Sequence, residues 1–205
     1  MGDYFKHPMA LVESDDIGDG TRIWAFAHIM TGAKIGKNCN IGDHCFVEGK
    51  VRIGDDVTIK NHVAIWNGVT VEDGVFIGPG VTTTNDLRPR SRAPEWVCSE
   101  TRIGQGATVG ANATLLCGIT IGSFAFIGAG AVVTRNVPSY ALVYGNPARV
   151  TGYVCRCSAP LDFGGSESSC PKCGRTYLRG GAGVSLQGQS DPRRDNGDGE
   201  TSWPR

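Results

Sequence analysis

The chain has 205 residues, in which 20 Lys and Arg balance 20 Asp and Glu, with 30 Gly and 8 Cys. A formal net charge of zero offers no basic face to nucleic acid and no polybasic arm to a membrane surface. No apolar run approaches the ~20 residues of a spanning helix. The opening Met1-Gly2-Asp3-Tyr4-Phe5-Lys6 lacks both a secretory core and the hydroxyl residue of a myristoylation signal, so a cytoplasmic protein is expected.

Residues 1–10 read as a lead-in that caps the first coil. From Leu11 an aliphatic residue recurs every six positions: Leu11, Ile17, Ile23, Ile29, Ile35, Ile41, Val47, Ile53, Ile59, Ile65, Val71 and Ile77. The period returns at Ile103, Val109, Leu115, Ile121, Ile127 and Val133. Four residues after each aliphatic from Ile17 to Ile77 stands a small or β-branched residue: Thr21, Ala27, Ala33, Cys39, Cys45 and Val51, then a valine each time through Val81. That position lies two before the next aliphatic, so on a strand both point to one face. Between the pairs sit Gly36-Lys37-Asn38, Gly42-Asp43-His44 and Gly54-Asp55-Asp56, residue types that tolerate the left-handed angles of a sharp corner. Each hexad is one short strand plus one corner, and stacked coils bury an aliphatic column that one repeat could not.

Residues 11–82 then make four coils, an insertion over 83–102 breaks the period, and the later hexads add two coils through Pro138. A long loop inside a strict solenoid is a place to look for binding. Residues 139–154 are expected to cross the open end of the core, which closes a first domain over 1–154. Residues 155–178 form a second unit. Cys155-Arg156-Cys157, twelve residues, then Cys170-Pro171-Lys172-Cys173-Gly174 resembles a zinc ribbon, with four thiolates for a closed, structural zinc site. From 179 to 205 the chain is Gly, Ser, Asp and Arg with little to bury, and disorder is expected.

The Ile-Gly-x-x-Val/Ala hexads, with the ending Val137-Pro138-Ser139-Tyr140 through Tyr144-Gly145-Asn146-Pro147-Ala148, resemble the hexapeptide-repeat acyltransferases. The resemblance implies an all-β, left-handed parallel β-helix with three sides and about eighteen residues per coil. Three segments narrow it: Arg22-Ile23-Trp24-Ala25-Phe26-Ala27-His28-Ile29, Thr84-Asn85-Asp86-Leu87-Arg88-Pro89-Arg90, and Gly106-Ala107-Thr108-Val109-Gly110-Ala111-Asn112. They resemble the N-acetyltransferases of nucleotide-linked 3-amino sugars, both UDP-2-acetamido-3-amino-glucuronate and dTDP-3-amino-3,6-dideoxyhexose types. The implied activity moves acetyl from acetyl-CoA to the sugar 3-amine for cell-surface polysaccharide, in a homotrimer.

Coils of eighteen residues turn spacing into stacking. His44 should sit beneath His62, and Asn67 beneath Asn85, where the insertion begins. The resemblance places Asn85 at the sugar amine; an amide cannot take its proton at neutral pH, so orientation is its expected role. It also implies His28, the second catalytic candidate with Asn85, near the sugar, and Gly110, Ala129 and Pro147 against CoA. Asn67, Arg88 and Arg90 are candidate substrate contacts, the arginines because guanidinium suits diphosphate. The γ-carbonic anhydrases share the fold type, but their zinc histidines include a pair five apart, and His28, His44 and His62 have no such spacing. Transfer to a different acceptor, or a non-catalytic scaffold or binding module, are the alternatives.

Overall fold

The computed structural model describes residues 3–93, 95–181 and 183–188. Among them there is no helix, and none therefore long and apolar enough to cross a membrane. Short strands wind as a parallel β-helix with three faces. Face A runs from Phe5–Lys6 through Arg22–Ile23, Asn40–Ile41, Thr58–Ile59, Phe76–Ile77 and Thr108–Val109 to Phe126–Ile127 and Ala141–Gly145. Face B runs from Leu11–Val12 to Val132–Val133, and face C from Asp16–Ile17 to Thr120–Ile121.

The register is that of the hexads: Asn40 pairs Thr58 and Thr58 pairs Phe76, eighteen residues apart each time. Ile23, Ile29, Ile41, Ile59, Ile65 and Ile77 are at most 1% exposed, and so are the corner residues Thr21, Cys39, Cys45, Val57 and Val63. Small polar side chains tolerate this interior because each reaches the next coil. Thr21 Oγ1 donates to Gly36 O at 2.8 Å, and the Cys39 and Cys45 thiols donate to Gly54 O and Lys60 O at 3.1 Å.

Two expectations need correction at this level. Leu11 does not point inward: it is 52% exposed, while Val12 takes the place in register with Ile29. The first coil is one residue short, Phe5 pairing Arg22 and Leu11 pairing His28, and a slip of one residue turns every side chain to the other face. The glycine after each aliphatic is not the left-handed residue either. Positive φ falls two residues later, at Asn38 (54°), His44 (57°) and Asp56 (57°). Gly36 is needed because a Cβ there would lie 2.5 Å from Gly54 O, so the coils could not close up.

The insertion shows as a jump in register. Val69 pairs Thr101, 32 residues on instead of eighteen, yet the same inward face is regained at Ile103. Thr83 and Thr101 still belong to strands, so the loop proper is 84–100. At the far end Ala141–Gly145 adds to face A and turns back as an antiparallel hairpin with Ala148–Val154, which pairs Pro160–Leu161. The hairpin thus extends one face where a crossing of the open end was expected. Beyond it, Glu167–Ser169, Thr176–Gly180 and Gly183–Leu186 form an antiparallel sheet. Disorder from 179 is therefore overturned at 179–180 and 183–186: Val184 is buried, Arg179 pairs Val184 and Gly180 pairs Gly183. The remainder of that expected tail, 189–205, lies outside the described residues.

Candidate functional site

Three faces leave three corners, and each carries different chemistry. The corner between faces A and B stacks Phe26, His44, His62, Gly80, Asn112 and Gly130, all at positive φ. His44 and His62 do lie one above the other, rings stacked at 4.9 Å and 24°, with Phe26 4.8 Å below His44. Both imidazoles are exposed. Higher on the same corner the candidate CoA residues converge. A Cβ on Gly110 would lie 2.5 Å from Ala129 N, and one on Gly128 would strike the Tyr144 ring. Gly110 and Ala129 thus lie where successive coils pack backbone to backbone, and the Tyr144 ring of the hairpin that bears Pro147 covers the same edge at Gly128.

The corner between faces B and C carries the loop. Asn85 is half-buried at its start, and its carbonyl accepts the Ser99 N–H at 3.0 Å, which ties the two ends of the loop together. Thr84 Oγ1 accepts the Cys117 N–H at 2.9 Å, fixing the residue before Asn85 to the next coil. Asn85 is thus anchored to the returning end of the loop through its backbone. Asn67 is committed differently. Its Oδ1 accepts the Lys50 N–H at 2.8 Å and its N–H donates to Glu48 Oε2 at 2.7 Å, so it braces the coil beneath. The Cys98 thiol donates to Asn67 O at 3.1 Å and closes the returning strand of the loop on this corner. Arg88 sits in an Asx turn, its N–H on Asp86 Oδ1 at 2.8 Å. Arg88 and Arg90 are exposed, and among the described residues neither guanidinium is in an ion pair.

His28 projects from face B, between these two corners. Its Nε2 lies 3.4 Å from Glu13 Oε2 and its ring is edge-on to Phe46 at 5.4 Å. Phe46 in turn contacts Trp66 at 5.4 Å. Sequence reasoning missed Glu13 because it is a diagonal neighbour, two residues beyond the Leu11 that pairs His28, and so lies off the eighteen-residue stacking rule. Phe46, eighteen residues after His28, was within reach of the same rule, whereas Trp66, twenty after Phe46, was not. Two surface cavities, ≈ 340 Å³ beside Arg52, Glu72 and Gln105 and ≈ 220 Å³ beside Arg135 and Arg149, lie away from Asn85. Asn67, Asn85, Arg88 and Arg90 thus lie on one edge of face B, Gly110 and Ala129 on the other, and His28 on the face between them.

The third corner, between faces C and A, ends at Phe124 and Tyr140 and receives the thiol unit. The sulfurs of Cys155, Cys157, Cys170 and Cys173 all lie within 4.8 Å of one another. Tetrahedral zinc with Zn–S of about 2.3 Å sets its sulfurs ~3.8 Å apart, so the donor set fits that ion.

A solenoid of hexads interrupted by one corner loop matches a family of transferases. The chain belongs to the bacterial transferase hexapeptide family, whose six-repeat model matches residues 16–49, 50–85 and 100–135; the gap falls on the loop. More particularly, it is 51% identical over 173 residues to the dTDP-3-amino-3,6-dideoxy-alpha-D-galactopyranose 3-N-acetyltransferase of Aneurinibacillus thermoaerophilus, covering 84% of this chain and 90% of that one. Among solved structures, it resembles a hexapeptide-repeat acetyltransferase of Vibrio cholerae O1 biovar eltor complexed with acetyl coenzyme A (TM-score 0.53, 30% identity, 60% of this chain and 70% of that one). It also resembles the polySia-specific acetyltransferase NeuO (TM-score 0.53, 25% identity, 65% of this chain and 68% of that one).

Proposed function

We propose that the chain is an acetyl-CoA-dependent N-acetyltransferase acting on the 3-amino group of a dTDP-linked 3-amino-3,6-dideoxyhexose. The observation that carries this reading is the 51% identity to an enzyme of that specificity, over a span that includes the Asn85 loop. The chemistry is simple. The neutral amine attacks the thioester carbonyl carbon, the C–N bond forms, and the C–S bond breaks as the amine proton passes to the departing CoA sulfur or to water. Holding the amine against the thioester supplies much of the rate, and donors facing the developing oxyanion supply more.

Asn85 orients the amine from the fixed base of its loop, and His28, held by Glu13, lines the sugar side. Arg88 and Arg90 meet the diphosphate, while Asn67 supports the corner under Asn85. Gly110, Ala129 and Pro147 flank the pantetheine arm and nucleotide of CoA. Because the two sets sit on opposite edges of face B, the complete site forms between copies in a homotrimer, with the loop of one chain beside the Gly110 corner of the next. The product, made in the cytoplasm, serves cell-surface polysaccharide. Cys155, Cys157, Cys170 and Cys173 hold a structural zinc ion that takes no part in transfer, since four thiolates leave no open position.

Thiol release from acetyl-CoA, measured with a panel of dTDP- and UDP-linked 3-amino sugars, tests the reading. Turnover with a dTDP-3-amino-3,6-dideoxyhexose is expected to exceed that with the UDP sugars. Turnover confined to a UDP sugar would move the nucleotide, and no turnover with a folded trimer would move the function to another acceptor or a scaffold.

A further inference from the structure

The thiol unit does more than hang from the end of the solenoid. Its closest sulfur pairs are Cys155–Cys173 at 3.4 Å and Cys157–Cys170 at 3.5 Å, both well beyond the ~2.05 Å of a disulfide. Cys155 and Cys170 are buried, Cys157 is half-buried and Cys173 is exposed, so the cluster is closed toward the protein. Three groups outside the thiols themselves donate to its sulfurs: the Tyr177 hydroxyl to Cys155 Sγ at 3.1 Å, the Cys157 backbone N–H to the same sulfur at 3.5 Å, and Arg175 Nη1 to Cys173 Sγ at 3.4 Å. Such outer donors orient thiolates and offset the charge of a tetrathiolate centre.

Tyr177 is fully buried and joins two regions. Its oxygen also accepts the Arg156 N–H at 3.0 Å, and its ring meets Tyr140 edge-on at 5.2 Å. Tyr140 stacks on Phe124 at 5.6 Å and 10°, and the Arg156 guanidinium lies 4.5 Å above Phe124. Phe124 and Tyr140 are the last two residues of the corner between faces C and A. Tyr140 O accepts the Val154 N–H at 2.8 Å, at the end of the hairpin whose other end bears Tyr144 and Pro147.

We infer that the metal centre is a clasp on the C-terminal end of the solenoid, and that Tyr177 is the positioning residue that transmits it to the final coil and the hairpin 141–154. This rests on the zinc reading above. Through that hairpin, metal occupancy governs the order of the edge assigned to CoA, without touching the reacting atoms.

The test uses the full chain as purified. Elemental analysis is expected to return about one zinc per chain. No zinc, with a mass lighter by the four thiol hydrogens, would replace the metal with two disulfides and remove the premise. Hydrogen exchange is then compared before and after stripping with a chelator. Amides of 140–154 are expected to lose at least ~tenfold protection while those around Ile41 and Ile59 keep theirs. Unchanged exchange at 140–154 in a chain proven to bind zinc would overturn the clasp and leave the zinc reading intact.

Tyr177→Phe separates the link from the site. It should still bind metal one to one, speed exchange at 140–154, and move the sulfur-to-cobalt charge-transfer band of the Co(II) form to longer wavelength, since Cys155 Sγ loses a donor. An unmoved band with unmoved exchange would sink the role of Tyr177. Should that variant not fold, Phe124→Leu breaks the stack at its other end. It should speed the same exchange with the cobalt band unmoved, and unaltered exchange there would equally overturn the clasp.

Discussion

The solenoid and the thiol unit hold together by opposite means. In the solenoid every coil repeats the same contacts, and Ile23, Ile41, Ile59 and Ile77 are replaceable members of one long column. The unit beyond 154 has a small separate cluster of Phe124, Tyr140, Cys155, Leu161, Cys170, Tyr177 and Val184, two of whose members belong to the solenoid. A repeat array spreads its stability over nearest-neighbour terms. A unit with so little apolar surface depends on a staple. If zinc is the staple proposed above, each region fails in its own way: the solenoid by an internal defect, the thiol unit by losing its metal.

The largest expected effect concerns neither core. Asn85→Ala should lower kcat/KM by about a hundredfold, the scale on which misplacing a reacting group by about 1 Å costs rate. Steady-state kinetics beside circular dichroism check it, and near-normal turnover would remove Asn85 from the site. Next comes a break in the column: Ile59→Ala, at a position with no exposure, should cost about 2–5 kcal/mol in urea unfolding. A cost below that range would mean that the coils relax around the gap. Chelation should do less to the whole and more to one end, leaving far-UV dichroism of the solenoid in place while the thiol unit loosens. A single cooperative loss of both would erase the contrast between the regions.

The smallest effect is a matter of protons. Burial, outweighing hydrogen bonds from neighbouring groups, pushes the Cys39 and Cys45 thiols from 9.0 up to about 11. A group raised in the folded state contributes stability that is complete below its unfolded value and fades as pH climbs through the folded one. Stability should therefore fall between pH 9.0 and about 11. Replacing both by Ala should flatten that slope. At pH 8 iodoacetamide should leave both thiols untouched until the chain unfolds, and rapid labelling of the folded chain would show that the coils open locally.

How legible all this was differs from residue to residue. The hexads, the inward pairs such as Val57 and Ile59, and the stacking of His44 on His62 follow from an eighteen-residue period, because each coil touches only its neighbours at fixed separation. Leu11 misled because the first coil is one residue short, and nothing in a run of aliphatics marks a missing residue. Gly36 was read for its backbone freedom, whereas the need is room for the next coil, a contact eighteen residues away. Asn67 shared its spacing with Asn85, but only its bonds to Lys50 and Glu48 show that it is a brace.

The order of residues along the chain was enough to establish the repeat, its inward column, the place of the insertion and the four candidate thiols, since periodic local patterns translate directly into periodic contacts. It took the folded arrangement to show that Gly110 and Ala129 stand on one edge of face B and Asn85 with its loop on the other. The fold also gathered four sulfurs within 4.8 Å and set the Tyr177 hydroxyl between them and the last coil. Those contacts join residues at irregular separations, through a hairpin and a sheet outside the period, and no spacing rule reaches across such a joint.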